Sequence, residues 1–230
     1  NFLHMPTNVE IITTKDGSHT LFSPHFNEIY HSRHGAIAES NHVFISNGLQ
    51  QVATTPIHLF EVGFGTGLNA LLAWEFAMQN KIETAYHGIE LYPISNETAQ
   101  ALNYPQALNN NKEATTVFAQ MHACEWEKQH TFSNYFSFKK EHGNIQEANL
   151  PKHYFDIVFF DAFAPAAQQE LWHLAIFSKL YDTLKNNGIL VTYCSKGIVR
   201  RTMLQAGFEV EKAPGPPGKR EMLRAVKKQR

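Results

Sequence analysis

In the stretch LFEVGFGTGLNALLAW, three glycines stand at alternate positions, Gly63, Gly65 and Gly67, directly after an apolar run. Glycine at such a turn permits positive φ and lets a ligand approach the bare backbone. A helix that opens there presents unpaired N–H groups. A dinucleotide-binding turn, GxGxxG, would put its third glycine at position 68, where this chain has Leu68. Glu61 precedes the turn, and an acid in that place favours a cationic ligand group over a pyrophosphate. Glu90 closes the next apolar run, where a carboxylate can accept hydrogen bonds from both hydroxyls of a ribose. A positively charged, ribose-bearing ligand without phosphates suits both acids, and S-adenosyl-L-methionine is such a ligand. A tight turn that holds no ligand is the competing reading. Further on, Asp161 follows the apolar VFF in FFDAFAP. A carboxylate emerging at the tip of a buried strand can orient a substrate group, or it can cap the next helix.

These residues need a scaffold that brings strand tips together. IHLFEV, TAYHGIEL, NYFSFKKE, YFDIVFFDAF and GILVTYC read as strands. Helices are expected over 67–79, after Ser95 or Asn96, over 168–186 closed by Asn187-Gly188, and over KGIVRRTMLQAG ending at Gly207. Strands that alternate with helices argue for an α/β fold with a parallel sheet and helices on both faces. FEVEKA and REMLRAV follow with only PGPPGK between them. That is too little chain for a parallel crossover, so they are expected to pair antiparallel or to lie apart. The carboxyl ends of the strands line the ligand crevice in such sheets, which is where Glu61, Glu90 and Asp161 fall. Residues 1–50 differ: VEIITT and HTLF flank Asp16-Gly17, a favoured hairpin turn, and a helix is expected near 35–45. They are expected to form an arm packed on a main domain of residues 51–230. Residues 103–131 give no clear reading.

Composition sets the remaining bounds. The chain has 230 residues, of which 43% are apolar, enough for a packed core. No run reaches the roughly 20 apolar residues of a membrane span, and the start NFLHMPTNVE lacks the layout of a signal peptide. Two cysteines without CxxC, Cys124 and Cys194, fit reduced thiols in a cytoplasmic protein. Thirteen scattered histidines include no HxxxH or HExxH pair, so no metal is expected. The net charge of −1 conceals an asymmetry: residues 196–230 hold ten Lys or Arg against three Glu, leaving +7, and the first 195 residues carry −8. A basic end on an acidic body suits a phosphate-bearing partner, or it is simply a solvated face.

The turn, both glutamates and the closing strand pair resemble class I methyltransferases over residues 57–226, with a seven-stranded, mainly parallel sheet ending in an antiparallel hairpin. DAFAP followed by LW, the basic KGIVRRTMLQAGF and GPPGKREML resembles more specifically the methyltransferase domain of the bacterial tRNA 5-methylaminomethyl-2-thiouridine biosynthesis family (MnmC type). EIYHSRHGAIAES resembles that family's N-terminal segment more loosely.

The resemblance implies S-adenosyl-L-methionine-dependent methylation of a 5-aminomethyl group on the tRNA wobble uridine. Asp161 would orient the amine, and Phe163 would stack the splayed base. Tyr30, His31 and Trp172 are further stacking candidates, and Pro165 shapes the loop. Glu61, Gly63, Gly65, Gly67, Asn69, Glu90 and Asp161 are expected at the cofactor, with Asn144 at its adenine. Lys196, Arg200, Arg201, Lys219 and Arg220 are expected on phosphates of the anticodon arm. Fused members of the family carry a flavin-dependent oxidase. This chain offers no stretch for one, so a stand-alone methyltransferase without FAD is expected, with a separate oxidase upstream. The alternatives are a polyamine synthase, which shares the sheet and attacks a related cofactor with an amine, a methyltransferase acting on another amine, and a nucleic-acid-binding module without activity.

Overall fold

The computed structural model describes residues 9–108 and 112–228. Residues 1–8 of the opening stretch read for a targeting signal, residues 109–111 of the unclear stretch, and residues 229–230 of the basic tail lie outside them.

The first elements of the described residues form a small antiparallel sheet, β1 (Glu10–Thr13), β2 (His19–Ser23) and β3 (Glu28–Ile29). The expected hairpin is present, and Gly17 takes φ 82° in its turn. Next comes α1 (Ala36–Ser40), which continues as a wider π-helical segment over Asn41–Ser46. Asp16 ties the hairpin to this helix: its Oδ2 accepts from Ala38 N at 3.0 Å.

The main sheet contains β4 (Ile57–Val62), β5 (Thr84–Glu90), β6 (Gln129–Ser133), β7 (Phe136–His142), β8 (Phe155–Phe160), β9 (Leu184–Thr192), β10 (Glu209–Pro214) and β11 (Glu221–Val226). Its order is β10-β11-β9-β8-β4-β5-β7-β6. The five central strands run parallel, and β10, β11 and β6 pair antiparallel. The fold class is as expected, and β10–β11 is the closing hairpin. β8 is FDIVFF, buried at every position, as a central parallel strand covered on both faces should be. The sheet has one strand more than the seven expected. The extra strand, β6, is the polar edge sequence QHTFS, whose exposure hides any apolar alternation.

The crossovers hold α2 (Leu68–Asn80), α3 (Asn96–Gln100), α4 (Tyr104–Ala107), α5 (Lys112–Ala123), α6 (Leu174–Thr183) and α7 (Gly197–Gln205). Ser95 caps α3 by accepting from Thr98 N at 3.1 Å. The helix expected over 168–186 is shorter. A 3-10 turn covers Gln169–Trp172, the chain extends at His173, and α6 ends at Thr183. Leu184 is already extended and pairs with Phe155 in the sheet, and Lys185 Nζ lies 2.9 Å from both carboxylate oxygens of Asp156. Asn187-Gly188 is therefore not a helix cap. It lies in an irregular part of β9, paired with Lys227 through backbone bonds of 2.7 and 2.9 Å.

Candidate active site

The tips of β4, β5 and β8 are joined by backbone hydrogen bonds. Gly63 N and Phe64 N both donate to Ile89 O, at 3.0 and 3.2 Å, and Asp161 N donates to Val62 O at 3.0 Å. Gly63, Gly65 and Gly67 have φ of 90°, 51° and 76°, the left-handed region that the spacing anticipated. A Cβ on Gly63 would lie 2.6 Å from the carbonyl oxygen of Asp161, so the turn and the aspartate are built against each other. Gly65 N donates to Glu90 Oε2 at 2.8 Å, and Tyr92 N donates to Glu90 Oε1 at 2.8 Å. Glu90 is thus fixed at the tip of β5. Burial raises its pKa, and the two N–H donors hold that rise back.

Asn69, in the first turn of α2, links two carboxyl groups. Its Nδ2 lies 2.7 Å from Glu61 Oε1 and 2.8 Å from Asp161 Oδ2. Tyr86 OH also donates to Glu61. Glu61 is fully buried, and burial lifts its carboxyl well above the usual range, with Asp161 and Glu90 adding to the rise. The expectation of Glu61 facing a cationic ligand is corrected on this point: Glu61 is fully buried and does not line the cavity, burial raises its pKa, and its link to the cavity is Asn69.

Burial pushes the pKa of Asp161 to about 7. Glu39 raises it further, while Asn69 and Lys219 oppose the rise. Asp161 sits on the wall of a cavity of about 420 Å³. The glycine turn, Glu90 and Asn144 form part of the lining, and Phe26, residues 28–33 and Glu39 of the arm form another part. Among the lining residues the cations Arg33 and Lys219 come from the arm and the β10–β11 loop, not from the turn. The turn therefore offers no counter-charge to a pyrophosphate. Asp161 and Glu90 suit a cation, and Asn69 Oδ1 is buried without a partner. These features fit S-adenosyl-L-methionine.

The sequence model of the S-adenosyl-L-methionine-dependent methyltransferase family matches residues 110–228. The chain belongs to that family. Among curated proteins, the methyltransferase is 32% identical over 218 residues to the tRNA 5-methylaminomethyl-2-thiouridine biosynthesis bifunctional protein MnmC of Methylobacillus flagellatus. That match covers 88% of this chain and 33% of the relative, so the chain spans about a third of the length of such relatives. The solved structure of MnmC2 from Aquifex aeolicus superposes with a TM-score of 0.75 at 28% identity, over 97% of this chain and 72% of that one. Spermidine synthase from Thermotoga maritima shares the fold, at a TM-score of 0.54 and 11% identity, over 95% and 68% of the two chains.

The other anticipated residues of the methyltransferase divide into two groups. Tyr30, His31, Phe163 and Lys219 line the cavity. Phe163 is not a free-standing ring: its centroid lies 4.5 Å from Phe26 and 4.9 Å from Tyr30. His31 is buried, with N donating to Thr20 Oγ1 at 2.9 Å. Burial holds its pKa near 4, so the ring is neutral. Trp172 belongs to the core, and its Nε1 donates to Phe163 O at 2.8 Å. Pro165 follows Ala164, whose carbonyl accepts from Ala167 and Gln168 and so shapes the loop. Asn144 accepts from Gln146 N at 2.9 Å beside Glu90.

Lys196, Arg201 and Arg220 are exposed, Arg200 is half-buried, and none of the four lines the cavity or forms an ion pair with a described carboxylate. Lys219 differs from its neighbour. It was expected on tRNA phosphates, yet its Nζ turns inward to Glu39 Oε2 at 2.7 Å. Charge counting along the sequence cannot distinguish an outward lysine from an inward one. Glu39, Tyr193 and Phe26 were missed. Tyr193 lies just past the end of β9, where the strand-tip rule would have found it. Glu39 and Phe26 reach the cavity only because the arm docks.

Proposed function

We propose that the protein transfers a methyl group from S-adenosyl-L-methionine to the 5-aminomethyl group of a tRNA wobble uridine, giving the 5-methylaminomethyl form, with or without the 2-thio group. The observation that carries this reading is Asp161, a carboxylate on the cavity wall between the glycine turn and the aromatic cluster of the arm. The MnmC relatives support the choice of substrate. Gly63, Gly65, Gly67, Asn69 and Glu90 would hold the cofactor, with Asn144 at its adenine, and the cofactor supplies an electrophilic methyl when bound. Glu61 acts by fixing Asn69. Asp161 accepts a hydrogen bond from the substrate amine and aims its lone pair. Such positioning supplies a large part of many rate enhancements. Asp161 does not lower the amine's pKa, because an anion favours the ammonium form.

In this reading Phe163 stacks on the base with Phe26 and Tyr30 behind it. Base–aromatic stacking contributes ~1–3 kcal/mol. Phe163→Ala is therefore expected to lower kcat/KM for tRNA by roughly 5- to 150-fold while leaving cofactor affinity unchanged. Unchanged tRNA kinetics would remove Phe163 from base recognition. Lys196, Arg200, Arg201 and Arg220 contact phosphates of the anticodon arm. Replacing all four with Gln is expected to weaken tRNA binding and flatten its log–log salt dependence by about 0.7–0.9 for each phosphate no longer neutralised. A slope equal to that of the unmodified protein would place the tRNA elsewhere. The reaction is cytoplasmic, and an oxidase that supplies the aminomethyl precursor is the expected upstream partner.

The test is methyl-labelled cofactor incubated with tRNA from cells that lack the modification, beside a parallel reaction with putrescine and decarboxylated cofactor. Label in 5-methylaminomethyluridine or its 2-thio form supports the reading. Aminopropyl transfer to putrescine, with unlabelled tRNA, would favour the polyamine synthase that the acidic cavity also suits.

A further inference from the structure

The cavity contains one ion pair that the mechanism above leaves unused. Glu39 comes from α1 of the arm, and Lys219 from the loop between β10 and β11. Lys219 Nζ stands 2.7 Å from Glu39 Oε2, and both residues line the cavity. Glu39 is 6% exposed, and its Oε1 accepts from Ser32 N at 3.1 Å. Lys219 Nζ also lies 4.2 Å from the ring centroid of Tyr193. Tyr193 OH donates to the carbonyl of Ala162, next to Asp161, at 2.9 Å.

Glu39 is buried while the Lys219 side chain is 33% exposed, and such a pair is a poor clamp, because desolvation of the carboxylate offsets much of the attraction and solvent screens the ammonium. A carboxylate beside Lys219 also repels phosphate. The distinctive property of the pair is a donor and an acceptor side by side in the cavity wall. An ammonium has three N–H donors and each carboxylate oxygen two lone pairs, so both groups retain capacity for a ligand.

Resting on the tRNA reading above, we infer that Glu39 and Lys219 form the subsite that selects uracil, with Lys219 donating to O4 and Glu39 accepting from N3–H. Uracil offers an acceptor and a donor at these adjacent positions, whereas cytosine offers the N4 amino donor and an N3 acceptor. Cytosine would therefore set donor against donor and acceptor against acceptor. A site whose buried polar groups are left unpaired rejects the wrong ligand strongly, by 10⁴-fold or more in favourable cases. C5, which bears the aminomethyl group, is the ring atom beside C4. A base held by O4 and N3 therefore presents its amine on the Lys219 side, within the cavity that Asp161 also lines.

The experiment uses full-length tRNAs assembled by ligation, identical except for 5-aminomethyluridine or 5-aminomethylcytidine at the wobble position. The unmodified protein is expected to prefer the uridine by at least ~100-fold in kcat/KM. Glu39→Gln and Lys219→Met are each expected to shrink that ratio at least about tenfold, whereas Lys219→Arg, which keeps charge and donors, retains most of it. Melting curves accompany each variant, so that lost folding is not read as lost selection. A pair that merely clamps the arm would slow both tRNAs alike. An unchanged ratio in folded Glu39→Gln and Lys219→Met overturns the inference, as does an unmodified protein that methylates both tRNAs equally, and in either case the proposed function stands. Inactivity on both tRNAs removes the proposed function and the inference together.

Discussion

Asp161→Asn is expected to lower methyl transfer to tRNA by ~100-fold or more at saturating cofactor, and to melt at a higher temperature than the unmodified protein at pH 8. Both effects follow from one carboxylate. The loss of rate arises because an amide can present an N–H to the amine and lacks the charge that holds it in place. The gain in stability arises from burial. The folded-state pKa of Asp161 is about 7, against an ordinary value of 3.8. Well below pH 3.8 both folded and unfolded forms are protonated and the group costs nothing. As pH rises toward 7 the unfolded chain ionises freely and the folded one does not, so stability falls until the folded group ionises as well. The asparagine variant is free of this cost, which at pH 8 is roughly 1–3 kcal/mol after allowance for partial solvent access, or a few degrees in Tm. The stability difference should grow between pH 4 and 7 and level off above. The same titration should give kcat/KM for the cofactor an inflection near pH 7 that the variant lacks. With a cation bound beside it, Asp161 should ionise at lower pH, so the inflection should move down when cofactor is saturating. An asparagine variant that keeps near-normal turnover would remove Asp161 from the chemistry.

Gly63→Ala carries the second large effect. Alanine at φ 90° is strained, and its Cβ would lie 2.6 Å from the carbonyl oxygen of Asp161. That oxygen belongs to the backbone of the loop bearing the aspartate, so relief requires the tips of β4 and β8 to part. The expected cost is about 2–4 kcal/mol in stability. Cofactor affinity is expected to fall ~100-fold or more, as misplaced site geometry commonly costs. Gly17→Ala is the control. Gly17 has a similar φ of 82° but no atom within 4 Å of the added Cβ. It should show the strain alone, ~1 kcal/mol, with cofactor binding intact. Calorimetric titration and thermal melts of both variants decide the matter. Gly63→Ala binding the cofactor within about threefold of normal would contradict a site built on this turn.

The two cases show which parts of the site were legible. Gly63 and Asp161 could be read because each stands at the end of an apolar run long enough to be a buried strand, and strand ends in this fold class converge. Glu61 was legible as an acid at a strand end but not in its partners or its burial. Its neighbours in sequence say nothing of Tyr86 and Asn69, which take up its oxygens. Strand β6 escaped because its residues face solvent and alternate weakly. The helix boundary at Thr183 escaped because it falls where Leu184 pairs with Phe155 and Lys185 with Asp156, partners distant in the chain. Glu39 escaped for a related reason: nothing local marks a glutamate in a short helix as part of a cavity. Its place depends on the arm docking against the β10–β11 loop. Lys219 and Arg220 adjoin in a basic stretch and point to different surroundings, a distinction that only packing can make.

The most direct measurement is a crystal structure with S-adenosylhomocysteine and an anticodon stem–loop carrying 5-aminomethyluridine. The amine nitrogen is expected within hydrogen-bonding distance, about 2.6–3.2 Å, of an Asp161 carboxylate oxygen, on a line with the cofactor sulfur. An amine facing away from Asp161, or a sulfur directed at a surface that Asp161 does not share, would contradict this placement.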